Sequence, residues 1–276
     1  MNTTVPALVA TTVMEWRKLT SLRLIAVLCL GSVVLSAVLA VFYSWVVIQV
    51  DLDLAVSAVE ATVMTTSKAT VTALVAGVVG VLCVTSDRRG GGLAVAAAIE
   101  PDRARIVVAK GVVAATVGVM VGLLGLATNA LVAALRLHPH ELFLTDVSSW
   151  TVVVLGNAAV HIGWAALGVA VGLAVRATPA AVLTIVVGPW LIERALGLAR
   201  ASGAHEGVMD ALWRVNPFAA ADGLRNPLVV VDPVVDLVGP GPGSGLLVSA
   251  LTFAVFVAGA LVLAGRSFIR TDLVSE

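Results

Sequence analysis

Apolar runs about as long as a bilayer is thick fill most of this 276-residue chain. A hydrocarbon core of about 30 Å requires about 20 apolar residues when the chain crosses it as a helix. Apolar residues make up 59% of the chain and charged residues only 12%, about half the share that soluble domains carry. Since the runs lack the strict alternation of a membrane barrel strand, we predict an all-α integral membrane protein.

Six transmembrane helices are predicted, together with a shorter amphipathic helix at the N-terminus. Residues 5–23 are too short and too polar to span, so we expect them to lie at the membrane interface. Gly188 and Pro189 are expected to end the fifth span early, because irregular backbone inside a membrane must be satisfied by protein or water. We therefore predict short re-entrant or interfacial helices within an extracytoplasmic loop at 193–245. The spans are placed at residues 24–50, 69–85, 111–135, 151–175, 180–192 and 246–264.

The distribution of basic residues orients these spans. Most of the 17 Lys and Arg residues fall near residues 86–110 or near the two termini. Basic residues close to span ends resist translocation, which predicts that this segment and both termini are cytoplasmic. The formal net charge of zero leaves no basic face for nucleic acid.

The polar segment at 86–110 interrupts the apolar pattern most strongly. Gly90, Gly91 and Gly92 loosen its backbone, residues 93–99 are Ala-rich and favour a helix, and Pro101 ends that helix. A short cytoplasmic helix held between two spans is suited to transmitting force from a soluble partner.

The fourth span carries the most polar stripe within the membrane. Asn157, His161, Gly168 and Gly172 fall on one face at helical spacing. One interpretation places them on a substrate path or a subunit interface, since polar side chains at membrane depth face protein or water. The other interpretation is that His161 bonds to a neighbouring helix and fixes the packing. The sequence leaves both open.

Motifs for catalysis and nucleotide binding are missing from the sequence. None of the three lysines follows a phosphate-binding glycine loop, and neither a serine-hydrolase elbow nor an HExxH motif occurs. The HPHE stretch at 138–141 is expected to be a solvated loop rather than a metal site. Cys29 and Cys83 are expected to be buried apolar side chains. We therefore expect no enzyme and no bound cofactor, and energy for any transport must come from another protein.

Four short motifs resemble a known family. They are MEWRKLTSLR at 14–23, the segment 87–110 with its Pro-Arg and Ala-Lys pairs, WRVNPFAAADGL at 213–224 and SFIRTDL at 267–273. In this order they resemble the permease subunit of an ATP-binding-cassette exporter, of the class called ABC type 2 membrane proteins. Asp87 stands where glutamate is usual in that family, and Gly92 where threonine is usual.

The resemblance implies a half-transporter in a bacterial cytoplasmic membrane. Two permease copies, identical or related, would pair with two separate cytoplasmic ATPase subunits, which bind the ATP and Mg. Residues 5–23 and 87–103 would be the elbow and coupling helices that dock on those subunits. The residues implied in this coupling are Glu15, Arg17, Lys18, Asp87, Arg88, Arg89, Gly91, Gly92, Leu93, Pro101 and Arg103.

The apolar spans favour an apolar or amphipathic cargo such as a drug, a peptide antibiotic or a lipid. The arginines of the coupling segment are expected to contact either acidic groups of the ATPase or anionic lipid headgroups. An alternative function is a membrane scaffold or immunity protein that binds a partner without transport. A membrane enzyme with His161 as the catalytic group is a third possibility, which the lack of a second ionisable group at that depth disfavours.

Overall fold

A computed structural model describes residues 4–54, 57–67, 70–89, 102–201, 208, 211–212, 216–225 and 245–270. Within these residues the chain is helical and contains no strand, which confirms the predicted all-α class. A 3-10 turn at His138–His140 follows the fifth helix. The nine α-helices with described bounds are α1 (Thr4–Ser21), α2 (Arg23–Leu54), α3 (Ala58–Ser67), α4 (Thr70–Arg89), α5 (Arg103–Leu137), α6 (Val147–Ala174), α7 (Thr178–Ala201), α8 (Pro217–Arg225) and α9 (Leu246–Arg270).

Within the part of the chain that the structure describes, six segments are long and apolar enough to cross a membrane, as predicted. The outward sides of α2, α7 and α9 expose apolar side chains such as Leu30, Leu183 and Val255, as helices that face lipid do. The six segments are Arg23–Gln49, Ala58–Asp87, Arg103–His140, Val147–Ala174, Thr178–Ala199 and Leu246–Phe268.

The fifth predicted span is longer than expected. The predicted break at Gly188 and Pro189 is wrong, since α7 continues through both residues as far as Ala201. Membrane helices accommodate a proline more easily than the sequence rule for soluble helices suggests. Residues 193–201, which we assigned to the loop segment with short separate helices, therefore continue α7.

Residues 58–67 lie between the first two predicted spans, at 24–50 and 69–85, where we expected a loop. The structure shows the helix α3 there. Its three threonines are buried, and two of them bond to the helix's own backbone: Thr65 Oγ1 donates to the Ala61 carbonyl at 3.0 Å, and Thr66 Oγ1 to the Thr62 carbonyl at 2.8 Å. Because backbone carbonyls accept from these two hydroxyl groups, the hydroxyls need no water as a partner. A threonine-rich stretch is therefore compatible with the interior of the bundle.

Helix α5 begins well before the predicted start at residue 111. Asp102 caps it, with Oδ1 accepting from the backbone N–H groups of Ala104 at 3.1 Å and Arg105 at 3.3 Å. The third span therefore takes up residues 103–110, which we assigned to the polar segment. The predicted coupling helix at 93–99 lies outside the described residues.

Glycines bring α4 and α6 into backbone contact along the most extensive helix interface of the bundle. A Cβ added at Gly168 would overlap the Gly77 carbonyl oxygen, and one at Gly80 would overlap the Ala165 carbonyl oxygen. Small residues permit this approach and maximise packing where lipid supplies no hydrophobic driving force between helices. The pair α4–α6 therefore forms the centre of the fold.

We predict that Gly168→Ala lowers the stability of the bundle by about 1–3 kcal/mol, because backbone atoms on α4 cannot give way to the added methyl group. Thermal unfolding of the purified protein in detergent measures the change. The matched control is Gly259→Ala on α9, where a Cβ meets nothing within 4 Å. Equal melting temperatures for the two variants would contradict this packing.

Candidate functional site

The ammonium group of Lys110 is buried where three helices meet. The residue is 1% exposed, and its Nζ donates to Glu15 Oε2 at 2.6 Å, Asp87 Oδ2 at 2.6 Å and the Cys83 carbonyl at 2.8 Å. An ammonium group has three N–H donors, so each finds an acceptor. The side chain thereby joins α1, the last turns of α4 and the first turns of α5.

Lys18 completes a charge-balanced group with these residues. Its Nζ lies 2.9 Å from Glu15 Oε1 and 3.4 Å from Asp87 Oδ2. Burial lowers the pKa of Lys18, but the hydrogen bond and attraction to Glu15, followed by those to Asp87, raise it above its ordinary value. Two carboxylates thus face two ammonium groups, and we call Glu15, Lys18, Asp87 and Lys110 the ion network.

Helical spacing places Glu15 and Asp87 on the inward-facing stripes of their helices. On α1, Glu15 lies between the buried residues Thr11 and Leu19, one turn on either side. On α4, the Cys83 carbonyl and the Asp87 carboxylate are likewise one turn apart. The carboxylates of Glu15 and Asp87 therefore face the neighbouring helices instead of water.

The ion network and the predicted coupling residues overlap in part. Glu15 and Asp87 each bond to both Lys18 and Lys110 within the chain, whereas Arg17 on α1 is exposed and Arg103, the first residue of α5, is half-buried. Arg88 and Arg89 end α4, and only their backbone is described. Gly91, Gly92, Leu93 and Pro101 lie outside the described residues.

Lys110 is the residue that the sequence-based set of coupling residues missed. The sequence shows it in the basic cluster and in the Ala-Lys pair, but nothing in its spacing reveals a partner 95 positions earlier in the chain. The available signal was a lysine at the edge of a long apolar run, where a buried charge demands an acidic partner.

A second polar group connects α4, α5 and α6 near the middle of the bundle. His161 is fully buried, with Nδ1 2.7 Å from the Asn157 carbonyl and Nε2 3.0 Å from Thr72 Oγ1 on α4. The carbonyl can only accept, so Nδ1 carries a proton and donates it to this hydrogen bond. Asn157 Nδ2 donates to the Gly122 carbonyl on α5 at 3.0 Å.

Gly168 and Gly172 lie on the same buried side of α6 as His161. Gly168 contacts Gly77, and a Cβ at Gly172 would lie 3.1 Å from the Val81 carbonyl oxygen, so both pack against α4 of the same chain. All four residues of the polar stripe therefore contribute to packing inside one chain. Contacts of this kind, between helices of one chain, are the ones that the packing interpretation of His161 predicts.

Metal ligands do not cluster in the described part of the chain, where no group of three His, Cys, Asp or Glu residues is placed to hold an ion. His138, His140 and Glu141 are exposed in and after the 3-10 turn. Among the described residues, the ion network holds the shortest ion pairs.

No model of a known protein family matches this chain, and a comparison with curated proteins finds no match either. The functional argument therefore depends on the contacts described above.

We predict that Lys110→Met destabilises the protein by about 3–5 kcal/mol, because it leaves the Glu15 and Asp87 carboxylates buried with only the half-exposed Lys18 as a partner. Chemical unfolding in detergent, followed by circular dichroism, measures the loss. The control is Arg136→Met, which removes an exposed basic side chain from the other end of α5.

The triple variant Glu15→Gln, Asp87→Asn, Lys110→Met shows whether the loss of stability comes from unpaired buried charge or from lost packing of the lysine side chain. It removes the buried charges together, so it should regain most of the stability that Lys110→Met loses. If Lys110→Met proves as stable as Arg136→Met, Lys110 is not a buried partner of these carboxylates.

Proposed function

We propose that this chain is the membrane-spanning permease subunit of an ATP-binding-cassette exporter. It moves an apolar or amphipathic molecule across a bacterial cytoplasmic membrane with ATP hydrolysed by a separate subunit. The observation that carries this proposal is the ion network, because it links α1 to the end of α4 and the start of α5. The last two flank the segment that the resemblance assigns to ATPase coupling, and α1 is the helix that it assigns as the elbow.

The ion network gives the proposed coupling a mechanical basis. A force on the segment between α4 and α5 acts at both of its ends on helices that are bonded to each other and to α1. Helix α4 in turn contacts α6 backbone to backbone through Gly77, Gly80 and Gly168. Closely packed helices move as units, so the force shifts the spans instead of bending a loop.

The same contacts support a cytoplasmic position for α1 and for residues 86–110. Glu15 and Asp87 reach one ammonium group, so the two elements lie at the same end of the bundle. That end also collects Arg17, Arg23 and Arg103, which basic-residue bias places inside the cell. With six spans, both termini are then cytoplasmic.

The proposed partner surface is basic. Because Glu15 and Asp87 are neutralised within the chain, the exposed Arg17 and Arg23 leave a surplus of positive charge at this end of the bundle. Such a surface fits acidic groups on an ATPase subunit. A second permease copy, identical or related, completes the transporter.

We predict that an affinity-tagged copy of the chain, purified gently from the membranes of its source cell, brings down an ATP-binding-cassette ATPase. Arg88→Glu with Arg89→Glu should lower that recovery by about tenfold or more, since reversed charges repel an acidic partner. Quantitative mass spectrometry of the purified complex measures the ratio of ATPase to permease.

The control for this experiment is Arg136→Glu, a charge reversal at the opposite end of α5. It should leave the ATPase ratio unchanged, and all variants should insert into the membrane equally. Purification of the wild-type chain without any ATPase, or an equal ratio in the double variant, would contradict the proposal.

A further inference from the structure

Helix α7 carries two charges inside its membrane span. Glu193 and Arg194 follow the start of the span at Thr178 by about 22 to 24 Å along the helix axis, so both lie within a hydrocarbon core of about 30 Å. Of the spans of α2, α7 and α9, which the bundle leaves most exposed, only that of α7 has charged residues further than one turn from its ends. The free side of α7 therefore differs from the apolar free sides of α2 and α9.

Neither charge belongs to an ion pair among the residues that the structure describes. Arg194 is exposed, and its guanidinium lies 5.9 Å from the centre of the Trp190 ring one turn earlier. Glu193 is half-buried, and two charged residues of the neighbouring helix α8, Asp222 and Arg225, pair with each other at 3.8 Å. Ionisable side chains at membrane depth almost always face protein or water. The two charges therefore indicate a protein neighbour on the free side of α7.

The free side of α7 also has the spacing of a helix–helix interface. Residues three and four positions apart alternate along it, which is the heptad pattern of two packed parallel helices. Leu183 is 61% exposed, Trp190 is 56% exposed, and a Cβ added at Gly197 meets nothing within 4 Å. We call this stripe the α7 seam, and it consists of Ala180, Leu183, Val187, Trp190, Arg194 and Gly197.

We infer that the α7 seam is the interface with a second, identical copy of this chain. Two copies inserted in the same orientation are related by a twofold axis along the membrane normal, so their α7 helices run parallel. In a parallel heptad pair, a seam residue packs beside the partner residue that precedes the equivalent seam position. Arg194 therefore lies beside the partner's Glu193, and the twofold axis generates the same ion pair a second time.

This inference rests on the proposed function for the second permease copy and adds the face that this copy covers. Lipid is the poorer occupant, because hydrocarbon leaves both charges without a counterion. The charges also determine the register, since Glu193 and Arg194 neutralise each other only when the two α7 helices are parallel and level. Apolar surface contributes little to association between helices in lipid, so the ion pairs are needed to distinguish α7 from α2 and α9.

Cysteine cross-linking in the membrane tests the seam with the full chain alone and no ATPase. Leu183→Cys and Gly197→Cys lie on the seam, and oxidation by copper phenanthroline should join two copies through each of them. Leu30→Cys on α2 and Val255→Cys on α9 are exposed controls that should remain monomeric on denaturing gels. The unsubstituted chain, which keeps the free thiols Cys29 and Cys83, gives the background.

Charge reversal tests the ion pairs separately from the apolar packing. Arg194→Glu brings four carboxylates together at the interface, and Glu193→Arg brings four guanidinium groups together. Each should lower the cross-linked fraction of Leu183→Cys by about tenfold or more, because like charges repel. The double variant Glu193→Arg, Arg194→Glu exchanges the two charges and should restore the cross-link. Thermal transitions in detergent identify any variant that fails to fold, and the cysteine variants with native charges then still decide the test.

Cross-linking through α2 or α9 instead of α7 would overturn the inference. A folded double variant that dimerises no better than the single variants would do the same, as would an undiminished cross-link in Arg194→Glu, because water or lipid headgroups would then hold the charges. The two proposals fail separately. An ATPase that purifies with a chain whose α7 does not cross-link argues against this interface alone, whereas cross-linking of α7 in a chain that recovers no ATPase argues against the exporter alone.

Discussion

The ammonium group of Lys110 determines how the basic end of the bundle is assembled. Removing a lysine from water costs several kcal/mol, and the cost is offset only when its donors are satisfied by well-placed partners. Here the partners are Glu15 from α1 and two oxygens from α4, at 2.6 to 2.8 Å. Separating α1 from α4 and α5 takes the Glu15 carboxylate away from Lys110 and leaves one of its three N–H donors without this acceptor. The network therefore specifies one arrangement of three helices that their apolar surfaces alone would not distinguish.

Polar contacts of the same kind recur deeper in the bundle. His161 joins α6 to Thr72 on α4, and Asn129 on α5 lies 2.9 Å from Ser36 Oγ on α2. Between helices in lipid, apolar surface contributes little to association, and close glycine contacts and buried hydrogen bonds decide which faces meet. Helix α4 takes part in the ion network, the His161 contact and the glycine interface. Movement of α4 would therefore reach α1, α5 and α6 together, as the proposed coupling requires.

The sequence was sufficient for the features that depend on composition and helical period. The length of the apolar runs predicted the six long helices, and the period of 3.6 placed Asn157, His161, Gly168 and Gly172 on one face, where the structure buries all four. Features that depend on tertiary contacts were not predictable. The continuation of α7 through Pro189 and the burial of the α3 threonines follow from surroundings that local rules do not include. The pairing of Lys110 with Glu15 joins distant segments, and no local pattern reveals it.

Hydrogen exchange of α1 tests most directly whether the ion network holds the bundle together. Exchange is measured by mass spectrometry on the full chain in nanodiscs, for the wild type and for Lys110→Met. If Lys110 anchors α1, amides in residues 11–20 exchange slowly in the wild type and much faster in the variant. Amides of α6 around His161 should stay equally protected in both proteins. Equal exchange of α1 in the two proteins would contradict the account, because it would show that the helix is held, or left free, without Lys110.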